Sequence, residues 1–379
     1  ENFQTFFSNT TDPYPYVYAL WSTPIILEGF NGKRKPAKLA FIEQILKDPR
    51  ANGTLRAMVY AAIGDHYQNI GKFKEANEAF AGIGSIGNWQ VLGTFDNISA
   101  NGFNKSFGAL EHPEASATFT HQYGAPVKWF NVPAERSDRW FDLTYYFDAS
   151  NAIMYAQTWV QSPQEVNAIM RSGCSGSLKI WVNDQLITSV AEERNCDLDI
   201  YAQPVHLQKG YNRVLVQIGE SEAGRANFLI RFTDANGNPI QGLSSTPTPQ
   251  PYTKVQGTMP AIQPFFAEAF FEQKIKQEPT NLLNYLVLAE AYLRNDKKYE
   301  ARKTLQKARD LAPQSTFVSM RLIEAYNRDG NETEAGKEQE HIRTSDPTSV
   351  IALQQNIAEA QKKEEFDQVE RHLSQYKQL

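Results

Sequence analysis

Residues able to do covalent chemistry are few in this 379-residue chain: two cysteines and six scattered histidines. Cys174 and Cys196 stand 22 positions apart, on either side of Asn183 and Asp184, a pair suited to a tight hairpin turn. A two-residue turn there puts Cys174 opposite about residue 193, three positions short of Cys196. One reading is a disulfide, which would stabilise by roughly 3 kcal/mol and point to an oxidising compartment. The other is a pair of thiols. A thiolate nucleophile would need a base within hydrogen-bond reach, and His121 and His206 are the candidates, but neither cysteine lies in a spacing that any Cys–His enzyme uses. No HExxH, GxSxG or GxxxxGK[ST] stretch occurs. The sequence therefore predicts a chain that is not an enzyme and holds no catalytic cofactor.

Binding chemistry is better supplied. Trp89, Phe103, Trp129 and Trp140 offer ring faces of the kind that stack on pyranose sugars, and Asp96 and Asn97 offer polar groups to orient hydroxyls. The same Asp96 and Asn97 oxygens could instead hold a structural calcium ion. Further along, Glu290 and Arg294 are repeated 34 residues later as Glu324 and Arg328, with Asn327 beside the latter and Gln361 and Lys362 in the next copy. Asn, Arg and Lys so placed can clamp the backbone or the carboxylate of an extended peptide. A solvated polar face is the plainer alternative. A net charge of −5 leaves no general basic surface for nucleic acid.

These residues must be held by definite elements, and the clearest signal is a period. Ala267, Ala301, Ala335 and Val369 are evenly spaced, as are Pro279, Pro313 and Pro347, both at 34 residues. That is the tetratricopeptide period, two helices per unit with a small residue at their close approach and a proline closing the second. In the best copy Tyr285, Leu288, Ala289 and Tyr292 face inward from the first helix, and Ala301, Leu305 and Ala308 from the second. Another copy near the N-terminus carries Tyr60, Gly64, Tyr67, Ala76 and Phe80. Between about residues 85 and 243 the pattern alternates instead, with strands expected at Trp89, Arg139–Phe147, Ile153, Leu178, Arg213 and Phe228. The predicted organisation is a helical block over 1–84, a β-sandwich over 85–243, a Pro- and Ser-rich linker over 244–262 and a repeat array over 263–379. No stretch approaches the roughly 18 apolar residues that span a bilayer.

NWQVLGTFDN, SGSLKIWVNDQLI and LQKGYNRVLVQIG, with NFLIRFTDANGNP, resemble a galactose-binding-like jelly-roll β-sandwich. The order of modules resembles the N-terminal part of secreted bacterial proteins carrying a transglutaminase-like domain downstream. The resemblance implies an α+β multidomain protein, a tetratricopeptide α-solenoid with an inserted antiparallel sandwich, acting outside the cytoplasm in the periplasm or at the cell surface. A membrane-associated complex through a removed anchor would fit the same picture. The expected function is a non-catalytic scaffold binding a protein partner through the repeats, with two alternatives: a glycan-binding accessory protein, or a fragment of a larger transglutaminase-like protein.

Overall fold

The computed structural model describes residues 2–21, 35–132 and 136–378. The chain is α+β and divides into two compact units, the first of residues 1–14 and 24–265, the second of Pro15–Thr23 with Phe266–Leu379. The sequence-based boundary at 84 does not separate bodies: the N-terminal helices and the strands share the first unit, while Pro15–Thr23 packs with the C-terminal repeats.

The helices of the N-terminal block are α1 (Asn2–Asn9), α2 (Tyr14–Ala19), α3 (Lys35–Lys47), α4 (Gly53–Asn69) and α5 (Phe73–Ala81). Asn52 caps α4 by accepting from the Leu55 N–H at 3.0 Å. α4 and α5 form the expected helix pair, with Gly64 and Phe80 at the close approach: a Cβ on Gly64 would lie 2.4 Å from the Phe80 ring.

Among the described residues, ten strands make one antiparallel sheet: β1 (Gln90–Asp96), β4 (Phe130–Asn131), β5 (Phe141–Asp142), β6 (Ala152–Ser162), β7 (Val166–Val182), β8 (Gln185–Asn195), β9 (Tyr201–Leu207), β10 (Gly210–Glu220), β11 (Asn227–Thr233) and β12 (Ser244–Thr246). β2 (Phe119–Thr120) and β3 (Pro126–Val127) form a separate ribbon. The organising strand is β7. Its C-terminal half pairs with β10 on one side and β8 on the other, and its N-terminal half with β11 and β9. The exchange of partners falls at Gly176, whose φ of 108° only glycine adopts freely; a Cβ there would lie 2.6 Å from the Gly219 carbonyl oxygen. Glycine is what lets one strand turn this corner. Asn183 and Asp184, both with positive φ, make the predicted two-residue turn between β7 and β8.

Arg139–Phe147 is not the strand its alternation suggests. Only Phe141–Asp142 is extended; Asp142 then accepts from the Thr144 N–H and hydroxyl, and Leu143–Tyr145 winds into a 3-10 turn. Nor is 244–262 a free linker. β12 joins the sheet beside β6, the Val255 N–H donates to the Asn183 carbonyl at 2.7 Å, and Tyr252 and Lys254 both engage the Asp184 carboxylate.

Among the described residues of the first unit, two arginines are buried. Arg231 on β11 donates to both Asp199 oxygens, at 2.8 and 2.5 Å, and to the Ile83 carbonyl, while the Thr54 hydroxyl of α4 donates to the same carboxylate. This ties the helical block to the sheet. Arg213 on β10 gathers the carbonyls of Ala109 and Leu110, the Gln157 amide oxygen and Asp184, so that one guanidinium holds the 98–118 excursion and the hairpin turn.

In the second unit α6 (Phe266–Gln277) leads into three helix pairs: α7 (Leu282–Arg294) with α8 (Lys298–Leu311), α9 (Thr316–Arg328) with α10 (Glu332–Ser345), and α11 (Val350–Lys362) with α12 (Phe366–Tyr376). Asn281, Ser315 and Ser349, again 34 apart, cap the first helix of each pair. Ala267, Ala301, Ala335 and Val369 are all buried, and the three prolines follow α6, α8 and α10 as the period predicts. The array is tetratricopeptide-like.

Candidate protein-binding face of the repeat array

Positions 283, 286, 290 and 294 recur at helical spacing and so share one face of α7; the same face of α9 carries 317, 320, 324 and 328. At its start the face is apolar and open: Leu283 is 54% and Phe317 51% exposed, and Ile351, at the equivalent place in α11, is half-buried. At its far end the face is basic, with Arg294, Arg328 and Lys362 in register.

Between the two ends lies a chain of ion pairs. Arg321 reaches Glu290 on the neighbouring helix at 2.5 Å and Glu324 on its own at 2.6 Å, and Arg328 pairs with Glu324 and donates to the Leu293 carbonyl, both at 2.7 Å. Burial pushes the Glu290 carboxyl above its ordinary value, against the pull of Arg321. Glu290, Glu324 and Arg328, singled out as peptide ligands, are thus already engaged in one ion-pair chain through Arg321, and an incoming carboxylate must compete for Arg328. Asn327, Gln361 and Lys362 lie exposed. Arg294 sits over the ring of Tyr18, 4.8 Å from its centroid. Sequence reasoning missed Arg321, which the i,i+3 spacing to Glu324 on the same helix flags as part of the set.

The sugar-stacking set is not assembled. Trp89 packs edge-on against Phe228, Trp129 against Phe119, and the Phe103 ring is covered by the Lys179 ammonium 4.3 Å from its centroid; all three rings are buried. Trp140 is half-buried, its backbone N–H donating to the Asp138 carboxylate. Asp96 pairs with Lys105 at 3.1 Å. Asn97 is fully buried, its amide donating to the Glu220 carbonyl and accepting from the Gly102 N–H. Both are spent on loop closure rather than gathered for calcium, and among the described residues no cluster of three or more His, Cys, Asp or Glu side chains is arranged to hold a metal.

The cysteines are free thiols, both buried, so the bridge proposed from sequence is not formed. They are nonetheless neighbours. Irregularities in the β7–β8 register between Ile180 and Trp181 and between Gly176 and Leu178 absorb the three-residue offset, and the Cys196 N–H donates to the Cys174 carbonyl at 2.8 Å. The hydrogen bond from Cys196 and burial together push the Cys174 thiol well above its ordinary value. Cys196 lies against the Tyr201 hydroxyl at 3.4 Å. His121 bonds to Thr94 and His206 to Asn167, so neither histidine serves a thiol.

No protein-family model matches the chain, and no curated protein matches it in sequence. Among solved structures it is similar to MamA, at 20% identity and a TM-score of 0.25 over 30% of this chain and 66% of that one. It is also similar to an anti-sigma factor domain-containing protein from Clostridium clariflavum, at 11% identity and a TM-score of 0.23 over 44% and 49% of the two chains. A β-glucosidase from Kluyveromyces marxianus aligns at 15% identity and a TM-score of 0.24 over 29% and 15%. The chain thus spans less than two thirds of MamA's length, and at such TM-scores these likenesses assign no activity to it.

Proposed function

We propose that the face formed by α7, α9 and α11 captures an extended segment of a protein partner, making this chain a binding scaffold rather than a catalyst. The observation that carries the reading is the pairing, on one face and at one 34-residue step, of open apolar side chains (Leu283, Phe317) with basic ones (Arg328, Lys362). Exposed large hydrophobic groups in register, rimmed by charge, mark interaction surfaces. The Arg321–Glu290–Glu324–Arg328 chain keeps the floor rigid, so a ligand that docks loses little to reordering of the scaffold. The ligand that fits carries apolar side chains toward the Phe317 end and a carboxylate toward the Lys362 end.

Selection of peptides from a random library against the full chain tests this. The expected consensus pairs an apolar residue with an acidic one. Phe317→Asp should then weaken the selected peptide by about 30-fold or more, and Lys362→Glu should reduce it further. Peptides indifferent to both substitutions would remove the face from consideration.

A further inference from the structure

We infer that the second unit contains a tyrosine-recognition site, built by Phe266, Glu268, Arg294 and Asn295 and filled in cis by Tyr18 of the segment Pro15–Thr23. Tyr18 is wholly buried. Its hydroxyl donates to the Asn295 side-chain oxygen, 277 positions away in sequence. Asn295, itself wholly buried, donates its amide to Glu268 at 2.8 Å, and Glu268 is held by Lys297. The Tyr18 ring meets Phe266 edge-on at 5.5 Å and lies under the Arg294 guanidinium at 4.8 Å. Tyr16, one step back, packs edge-on against Phe271 at 4.9 Å and Phe270 at 5.8 Å.

Two features make this a site rather than ordinary core. The first is its polar floor: half-buried Lys297 and buried Glu268 and Asn295 form a relay whose terminal oxygen accepts from a phenol hydroxyl and would lose that donor to a phenyl ring. The second is the ligand. α2 spans only six residues, too few to hold a helix unaided, so its conformation is maintained by what it touches. Pro15–Thr23 belongs to the second unit while the chain on both sides of it belongs to the first. The segment is therefore inserted into the repeat unit from elsewhere in the sequence, as a peptide ligand would be. Tyr16 and Tyr18 pack against α6, and the chain immediately preceding Phe266 is not helical. The inference shares Arg294 with the α7–α9–α11 face but does not depend on that reading, and library peptides that ignore this site would not touch it.

The test is competition with the chain's own segment, using a labelled peptide of residues 12–21 and fluorescence anisotropy. Full-length Tyr16→Ala/Tyr18→Ala protein is expected to bind the peptide saturably, and the unmodified protein at least about tenfold more weakly because its site is filled. A peptide with Phe in place of Tyr18 should bind the variant about three- to tenfold more weakly. Equal binding by variant and unmodified protein, or none by a variant that keeps its helical melting transition, overturns the inference. Should the variant not fold, hydrogen exchange on the unmodified protein decides. The Leu20 and Trp21 amides, bonded to the Tyr16 and Tyr18 carbonyls, are expected to exchange about 100-fold or more slowly than in an unstructured chain. Exchange at the unstructured rate overturns the inference equally.

Discussion

Asp199→Asn tests the carboxylate in the contact that joins the helical block to the sheet. Asp199 and Arg231 are both buried and doubly bonded, and Asp199 adopts a left-handed backbone with φ of 66°, which asparagine tolerates well. The substitution therefore preserves shape while leaving the Arg231 guanidinium buried without a counter-charge and turning one accepting oxygen into an NH2 donor. Breaking one side of a buried pair costs about 3 to 5 kcal/mol, which for a unit of this size lowers the melting temperature by roughly 6 to 20 °C. The pH dependence has a definite sign. Burial alone would raise the Asp199 carboxyl, but Arg231, Arg171 and the Thr54 hydroxyl outweigh it, and the net shift is downward. A carboxyl depressed in the folded state contributes stability above its unfolded value of about 4 and loses it as pH falls through the folded value. The unmodified protein should thus lose stability on acidification below about pH 4, and Asp199→Asn should show a shallower dependence from a lower plateau. Calorimetric scans from pH 3 to 7 measure both. A shift under about 2 °C at pH 7, or parallel pH profiles, would refute the reasoning.

Other contacts give further expectations. Gly176→Ala forces a side chain onto a φ of 108° and against the Gly219 carbonyl; a loss of about 1 to 3 kcal/mol in urea unfolding is expected, and an unchanged midpoint would mean that β7 turns its corner elsewhere. Iodoacetamide, which needs a thiolate, should label neither cysteine in the native protein at pH 8 and both in unreduced urea, read by intact mass; the absence of any label in urea would indicate a bridge. Asp184→Asn removes the anchor of Tyr252 and Lys254, so trypsin should cut after Lys254 several-fold faster, with gel-resolved fragments as the readout.

The two 34-residue ladders are legible because a repeated helix pair must place its small and closing residues at the same points in every copy, and burial of Ala267, Ala301 and Ala335 follows from that alone. The Asn183–Asp184 turn is legible for a similar reason: few residue pairs accept two consecutive positive φ values. The proposed binding face is legible in part. Glu290, Arg294, Glu324 and Arg328 stand out by their spacing, but that they are tied together through Arg321 is not visible in a one-dimensional pattern. Trp89, Phe103 and Trp129 show the opposite error, since an aromatic ring looks the same in sequence whether its face meets solvent or a neighbouring ring.

What the sequence determines by itself, then, is local and periodic: helix and strand type, the repeat step, the caps at Asn281, Ser315 and Ser349, and the hairpin turn. Tertiary structure decides which distant residues meet. It carries Tyr18 to Asn295, brings Asp199 between Arg231 and Thr54, lays Tyr252 on Asp184, and through irregular register sets Cys196 opposite Cys174. Local patterns arise from the backbone's fixed geometry, which every residue shares. Pairings across the chain depend on the closure of many loops at once, and the polar groups that seal them, buried Arg213 and Arg231 above all, carry the same letters as residues on any exposed surface.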